Sequence, residues 1–226
     1  MTPSDPKHAD PKHADPKHAD PKHVGAKLVE LHARSLDLAA EVVDTVRPEH
    51  LDLPSPCAGW TLRNLLEHVL GQHRGFAAAA RGAGPDLALF ADAPVGPDVA
   101  AEFRRTGAEL TAAFRDAAAA DRALWLPEIR DGGPFPVAQA VGFHLLDTLV
   151  HGWDVAASLG TADRLIAVAE AEDALTDTLL KVTEIVPDTP EARAPGNAFR
   201  PGLDPAGGGR FARSLALLGR DPLWKG

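Results

Sequence analysis

One cysteine, Cys57, in 226 residues leaves no partner for a disulfide within the chain. That usage fits a reducing compartment, and a cytoplasmic protein is expected. Uninterrupted apolar runs of about 18 residues, the length that spans a membrane, are missing as well. The N-terminus has no apolar stretch behind its first charges, so no secretory signal is expected. Basic residues are scattered: 23 Lys and Arg stand against 32 Asp and Glu, for a formal charge of −9, and no cationic cluster stands out. Nucleic acid is therefore not an expected partner, because its phosphates require a basic footprint. Nor is there a run of period-two alternation bounded by hairpin turns, which argues against a β-sheet architecture.

Hydrophobic residues make up 45% of the chain, enough for a sizeable core. They start only after a perfect five-residue repeat, DPKHA, that fills residues 5–23. Proline in every unit blocks helix propagation, and alanine is the one other apolar side chain. Such a segment buries too little surface to offset the entropy lost on ordering. Residues 1–23 therefore read as a disordered, partly polyproline-like arm, and residues 24–226 as one helical domain. His8, His13, His18 and His23 lie in the arm. A His-rich tract can capture metal weakly, but a low-complexity tail is the preferred reading.

The rest of the chain carries helical periodicity. Leu28, Leu31, Leu38, Val42, Val43 and Val46 repeat mostly at three- and four-residue spacing over residues 24–46, up to Pro48. After a proline- and glycine-punctuated loop, Thr61 is a good N-cap for a second helix that ends near residues 81–82. Further helices are predicted over residues 98–119, 136–159, 163–186 and 210–218, with Gly160 closing the fourth. Residues 187–209 are rich in Pro and Gly and read as irregular but packed. Long amphipathic helices joined by loops define an all-α helix bundle.

One helix carries an ordered set of polar residues. His144, Asp147 and His151 stand at i, i+3 and i+7, so they share a face over two turns, beside Val141, Leu145, Thr148 and Val155. His68, among Leu65, Val69 and Gln72, occupies a half-apolar face of the second helix. Imidazoles and a carboxylate meeting in an apolar wall need partners, and one metal ion would satisfy all of them. His68, Asp147 and His151 would make a three-ligand site with an open position, as in catalytic zinc sites or the two-histidine, one-carboxylate iron sites. The other reading of the same residues is hydrogen-bonded core or surface groups. His144 ranks below His151, as a residue that supports or lines the site. Asp154 reads as a helix-surface charge or a partner for the N-terminal loop, ahead of a group that holds a ligand histidine or a polar part of a cofactor. Cys57, near a helix N-terminus, reads as a packed loop thiol ahead of a nucleophile. Trp60 and Trp153 flank the two ligand helices and either wall a pocket or simply pack. His32, His50 and His73 show no partner pattern.

Three segments resemble a known family. SPCAGWTLRNLLEHVLGQ, residues 55–72, resembles the entry to the second helix in the mycothiol-dependent maleylpyruvate isomerase N-terminal family, within the DinB-like superfamily. HLLDTLVHGWDVAASLG, residues 144–160, resembles its second signature, an acidic residue four before a His-Gly-Trp-Asp run. LALLGRDPLW, residues 215–224, resembles the tail of single-domain actinobacterial members. The resemblance covers residues 24–226. It implies an antiparallel four-helix bundle with additional C-terminal helices and a metal at one end. The implied ligands are His68, Asp147 and His151, with Asp147 where the characterised isomerase has Glu. The implied cofactors are a divalent ion (zinc first, nickel or iron as alternatives) and a low-molecular-weight thiol such as mycothiol. The metal would favour the thiolate, which attacks a small electrophile. The isomerase has a second domain that contributes to its substrate site, and this chain ends shortly after the bundle. A thiol S-transferase is therefore expected ahead of an isomerase, with a non-catalytic metal-binding or interaction module as the alternative. Superfamily members often dimerise, so a homodimer is one expected state.

Overall fold

The computed structural model describes residues 21–129, 133–204 and 207–225, the first four of them by backbone alone. The repeat arm lies outside the described residues up to position 20. Seven α-helices and no extended strands are found among the described residues: α1 (Pro21–Val43), α2 (Leu62–Ala80), α3 (Val99–Ala119), α4 (Val137–Ser158), α5 (Ala162–Glu170), α6 (Asp173–Glu184) and α7 (Arg210–Leu217). The first helix starts at Pro21, three residues earlier than predicted, so the last Pro-Lys-His unit belongs to a helix. Proline is tolerated at a first helical position because its missing N–H would have had no partner there.

The predicted boundaries of α2, α3 and α4 rest on local chemistry that the structure displays. Thr61 caps α2 reciprocally: its hydroxyl accepts from the Asn64 N–H, and Asn64 Oδ1 accepts from the Thr61 N–H at 3.1 Å. Asp98 Oδ1 accepts from the Ala101 N–H at 3.0 Å and opens α3. Gly160, at φ +71°, follows α4 in a conformation that favours glycine.

The single helix predicted over residues 163–186 is instead two, broken at residues 171–172. The carboxylate of Glu170 turns to accept the backbone N–H groups of Arg210 and Phe211, at 3.1 and 2.6 Å, at the start of α7. Glu172 meets Arg34 of α1, with an Nε–Oε1 distance of 2.8 Å. These two tertiary attachments fit a turned chain, and periodicity alone carried no sign of them.

Helices α1 to α4 form a four-helix bundle. α1 packs on α3 and α4, and α2 on α3 and α4, while α6 and α7 pack together and cover α4 with α5. Sandwiched this way, α4 buries most of its circumference, including Val141, Leu145, Leu149 and Trp153. No helix among the described residues is long and apolar enough to cross a membrane.

Residues 91–93 cross α2 at Gly71. A side chain there would meet the backbone of Ala91 and Asp92 at less than contact distance. The close approach lets the Ala93 N–H reach Glu67 O at 2.9 Å and sets Asp92 beside His68. Gly71→Ala is expected to cost about 1–3 kcal/mol, the usual range for overpacking, as a lower urea midpoint.

Candidate metal centre

α2 and α4 face each other where His68 meets Asp147 and His151, and the structure brings these three side chains together. One ligand-type atom from each lies within 4.8 Å of the other two. His151 Nε2 is 3.3 Å from Asp147 Oδ1, and the His68 and His151 rings stand edge to face at 5.4 Å. The other carboxylate oxygen, Asp147 Oδ2, is buried with no hydrogen-bond partner. A buried carboxylate oxygen left alone is costly, and a cation shared with two imidazoles would satisfy it.

The outer nitrogens of both histidines are held. His68 Nδ1 lies 3.4 Å from Asp92 Oδ1, and the Trp60 ring packs on His68 at 5.1 Å. His151 Nδ1 lies 2.9 Å from Asp154 Oδ2. Asp154 is fully buried, which rules out a helix-surface charge, and its contact with Cys57 in the loop before α2 fits the other expectation, a loop partner. Asp154 is gripped by Arg220, with Nε–Oδ1 at 3.3 Å and Nη2–Oδ2 at 3.2 Å. A carboxylate that orients a histidine and fixes its tautomer is the usual outer support of a metal site.

Cys57 packs as the expected loop thiol against the core, and it also has polar partners. Its sulfur lies 3.3 Å from Asp154 Oδ2 and 3.4 Å from Arg220 Nη2. Cys57, His151 and Asp154 form a second group with metal-like spacing. The Arg220 guanidinium already supplies a positive charge to both Asp154 and Cys57, so a second cation would be repelled there. Charge complementarity thus favours the His68, Asp147 and His151 group.

Without an ion, Asp147 and His151 form a charged pair. Burial pushes the Asp147 carboxyl up, but the charge and hydrogen bond of His151 outweigh it and hold the group well below the usual carboxylate range. Burial likewise opposes protonation of His151, yet Asp147, aided by Asp154 and Cys57, raises it well above an ordinary imidazole. Asp154 is pushed up by burial and brought down to about 2 by Arg220 and His151. Burial lowers His68 and keeps it neutral, the form that binds metal.

His144 points away from this cluster. Its Nδ1 lies 2.9 Å from His32 Nε2 and 3.0 Å from Thr148 Oγ1, and its ring edges onto Phe76 in the bundle core. His73, 5.4 Å away ring to ring, meets Thr106 Oγ1 at 2.8 Å. His32, His73 and His144, all fully buried or nearly so, thus form a core chain of imidazoles. This corrects the placement of His144 at the site and the reading of His32 and His73 as isolated. Trp153 packs in the core, whereas Trp60 walls the site.

Two cavities meet at His68 and Asp147. One, about 340 Å³, is the more polar of the two, lined by Cys57, Trp60, Asn197, Arg200 and Arg220 among others. The other, about 660 Å³, is walled mainly by apolar side chains from α2, α4 and the end of α6. Glu128 stands in its wall, accepting from Gln72 Nε2 at 2.8 Å. Burial raises the Glu128 carboxyl, and the charges of Asp147 and Asp92 add to the effect. The irregular segment around Asn197–Arg200 and the buried Arg220 were not foreseen as site components. Their one sequence signal was Asp154, a charge inside an apolar helix that needed a distant partner.

An all-α bundle with a two-histidine, one-carboxylate cluster between its second and fourth helices defines a metal-binding DinB-like protein class. The profile of the mycothiol maleylpyruvate isomerase N-terminal domain matches residues 28–156, and the chain belongs to that family. Uncharacterized proteins from two strains of Mycobacterium tuberculosis, CDC 1551 and H37Rv, are each 28% identical over 169 residues, covering 74% of this chain and 83% of the relative. No solved structure matches the chain.

Proposed function

We propose that His68, Asp147 and His151 hold one divalent ion, zinc foremost, and that the protein transfers a low-molecular-weight thiol of the mycothiol type to a small electrophile. The observation behind this reading is the convergence of three donors from two helices, with a buried, unpartnered Asp147 oxygen, where two cavities join. When bound there, a divalent ion supplies the charge that stabilises the thiolate of an incoming thiol.

The chain's own residues do the rest. Asp154 accepts from His151 Nδ1, so that Nε2 faces Asp147 and would be the atom offered to an ion. Arg220 fixes Asp154 in turn. Asp147, one methylene shorter than the Glu of the characterised isomerase, lies 3.3 Å from His151 Nε2, one turn away on the same helix, and this supports the pairing. The polar cavity, with Asn197, Arg200 and Arg220, suits the hydrophilic body of such a thiol. The electrophile then enters from the other cavity. The thiol gives up its proton to solvent, sulfur donates its electron pair to the electrophilic carbon, and the leaving group departs with the pair of the broken bond.

Metal content tests the site. After dialysis of the full chain against a weak chelator, wild-type protein should retain close to one equivalent of ion more than His68→Ala, Asp147→Ala or His151→Ala. The arm histidines are common to all four proteins and cancel in the comparison. Equal contents would remove the site. Retained metal without thiol conjugation to any electrophile would reduce the protein to a metal-binding module.

A further inference from the structure

The larger cavity is built for one kind of molecule. It has about 660 Å³, within the range of small-ligand pockets, and it ends on His68 and Asp147. Phe76, Phe143, Leu146, Ile185 and Phe199 supply its walls. Ile185 is 59% exposed, so an apolar face is already open at the rim. Among the described residues that line the cavity there is no lysine or arginine. Its fixed charges are acidic, Asp147 at the inner end and Glu128 in the wall, with Asp92 nearby. Both lining arginines of the joint site, Arg200 and Arg220, lie on the polar side.

This asymmetry bears on substrate choice. An anion entering the larger cavity would lose water without gaining a cationic partner among the described residues that line it, beside the Glu128 carboxylate. A bound divalent ion would offer little relief, because Asp147 and a thiolate would balance its charge. An uncharged apolar molecule loses nothing by the same transfer and gains the burial of its surface.

We infer that the second ligand of this centre is an uncharged, apolar small molecule, and that Glu128 is a specificity-determining residue that rejects carboxylated or sulfonated ones. The inference rests on the thiol-transfer reading for its chemistry but not for its binding. It departs from the acidic substrate named in the family's description. Gln72 fixes the Glu128 carboxylate in the wall, so the repulsion has a set direction.

Two fluorophores with one skeleton test it: neutral N-phenyl-1-naphthylamine and its sulfonated analogue 8-anilino-1-naphthalenesulfonate. Both are titrated into the full-length protein without metal or thiol. The neutral probe should bind at one site, and the sulfonate at least about tenfold more weakly, as a charge desolvated without a partner requires. Glu128→Gln should narrow that ratio by about threefold or more. Ile185→Glu, at an exposed position that keeps the core intact, should weaken the neutral probe.

Equal or tighter binding of the sulfonate, or a neutral probe indifferent to Ile185→Glu, overturns the inference. So does neutral-probe binding that disappears as protein concentration rises, because a second copy would then be covering the cavity. The thiol-transfer reading fails separately, through absence of conjugation to neutral electrophiles while the probe ratio stands.

Discussion

Asp154→Ala is expected to destabilise the protein by about 3–5 kcal/mol, the cost of stranding one partner of a buried ion pair. Asp154 is fully buried and Arg220 nearly so. Removing the carboxylate leaves the guanidinium with the Cys57 sulfur and the face of the Phe199 ring as partners among the described residues. Total stability of a folded chain is usually about 5–15 kcal/mol, so this one change can consume most of it. Asp154→Asn keeps the shape but not the charge, and should fall between wild type and alanine. The second consequence lies across the carboxylate. Without Asp154 the His151 ring loses the bond that sets its tautomer, and metal affinity should drop by about 10–100-fold. Urea unfolding reads the first effect, and metal titration of the surviving folded fraction reads the second. A loss below about 1 kcal/mol, the worth of an exposed pair, would show that Asp154 and Arg220 are not held as described.

Mild acid is expected to be as damaging. Burial lowers His32 well below an ordinary imidazole, His73 to about 3 and His144 to about 4, and their mutual proximity lowers His32 and His73 further. These groups are neutral in the folded chain and take up protons when it unfolds. Stability is therefore complete above the unfolded value near 6.5, and it falls as pH drops from there toward the folded values. At pH 5 the loss amounts to about 2 kcal/mol for each of His73 and His144, with His32 and the partly buried His68 adding in the same direction. His151 works the other way: its raised value contributes stability that is fully present below 6.5 and is lost as pH rises through the folded value. Over the interval from pH 7 to 5 that gain is under about 1 kcal/mol, because most of it is already present at neutrality. Asp147 and Asp154 matter only below their unfolded value of 3.8. Chelator-treated protein should thus show a steeply lower urea midpoint at pH 5 than at pH 7. A flat profile would mean that the three imidazoles are hydrated or share a proton in the fold.

What could be read beforehand was what one helix can carry by itself. The leucine spacing, Thr61, Asp98 and Gly160 define α2, α3 and α4 because caps and periodicity are local. Asp147 and His151 fall on one face for the same reason. Bringing His68 to them required a tertiary arrangement, for which the family resemblance stood in. The pairs that support the site had no such route. Asp154 and Arg220 are 66 residues apart and His32 and His144 are 112 apart, with no pattern linking them before α1, α4 and the chain after α7 are packed. The break at residues 171–172 was hidden for the same reason, since distant Arg210 and Arg34 set it. Cys57 and Asp154 were each judged on sequence neighbours, and each proved to be defined by residues far along the chain.

X-ray absorption at the zinc edge, on full-length protein given one equivalent of zinc in thiol-free buffer, addresses the centre itself. His68, Asp147 and His151 as ligands predict imidazole scattering and a nitrogen and oxygen shell at about 2.0–2.1 Å, without sulfur. A sulfur neighbour at about 2.3 Å, which Cys57 alone could supply, would place the ion in the other group and contradict the assignment.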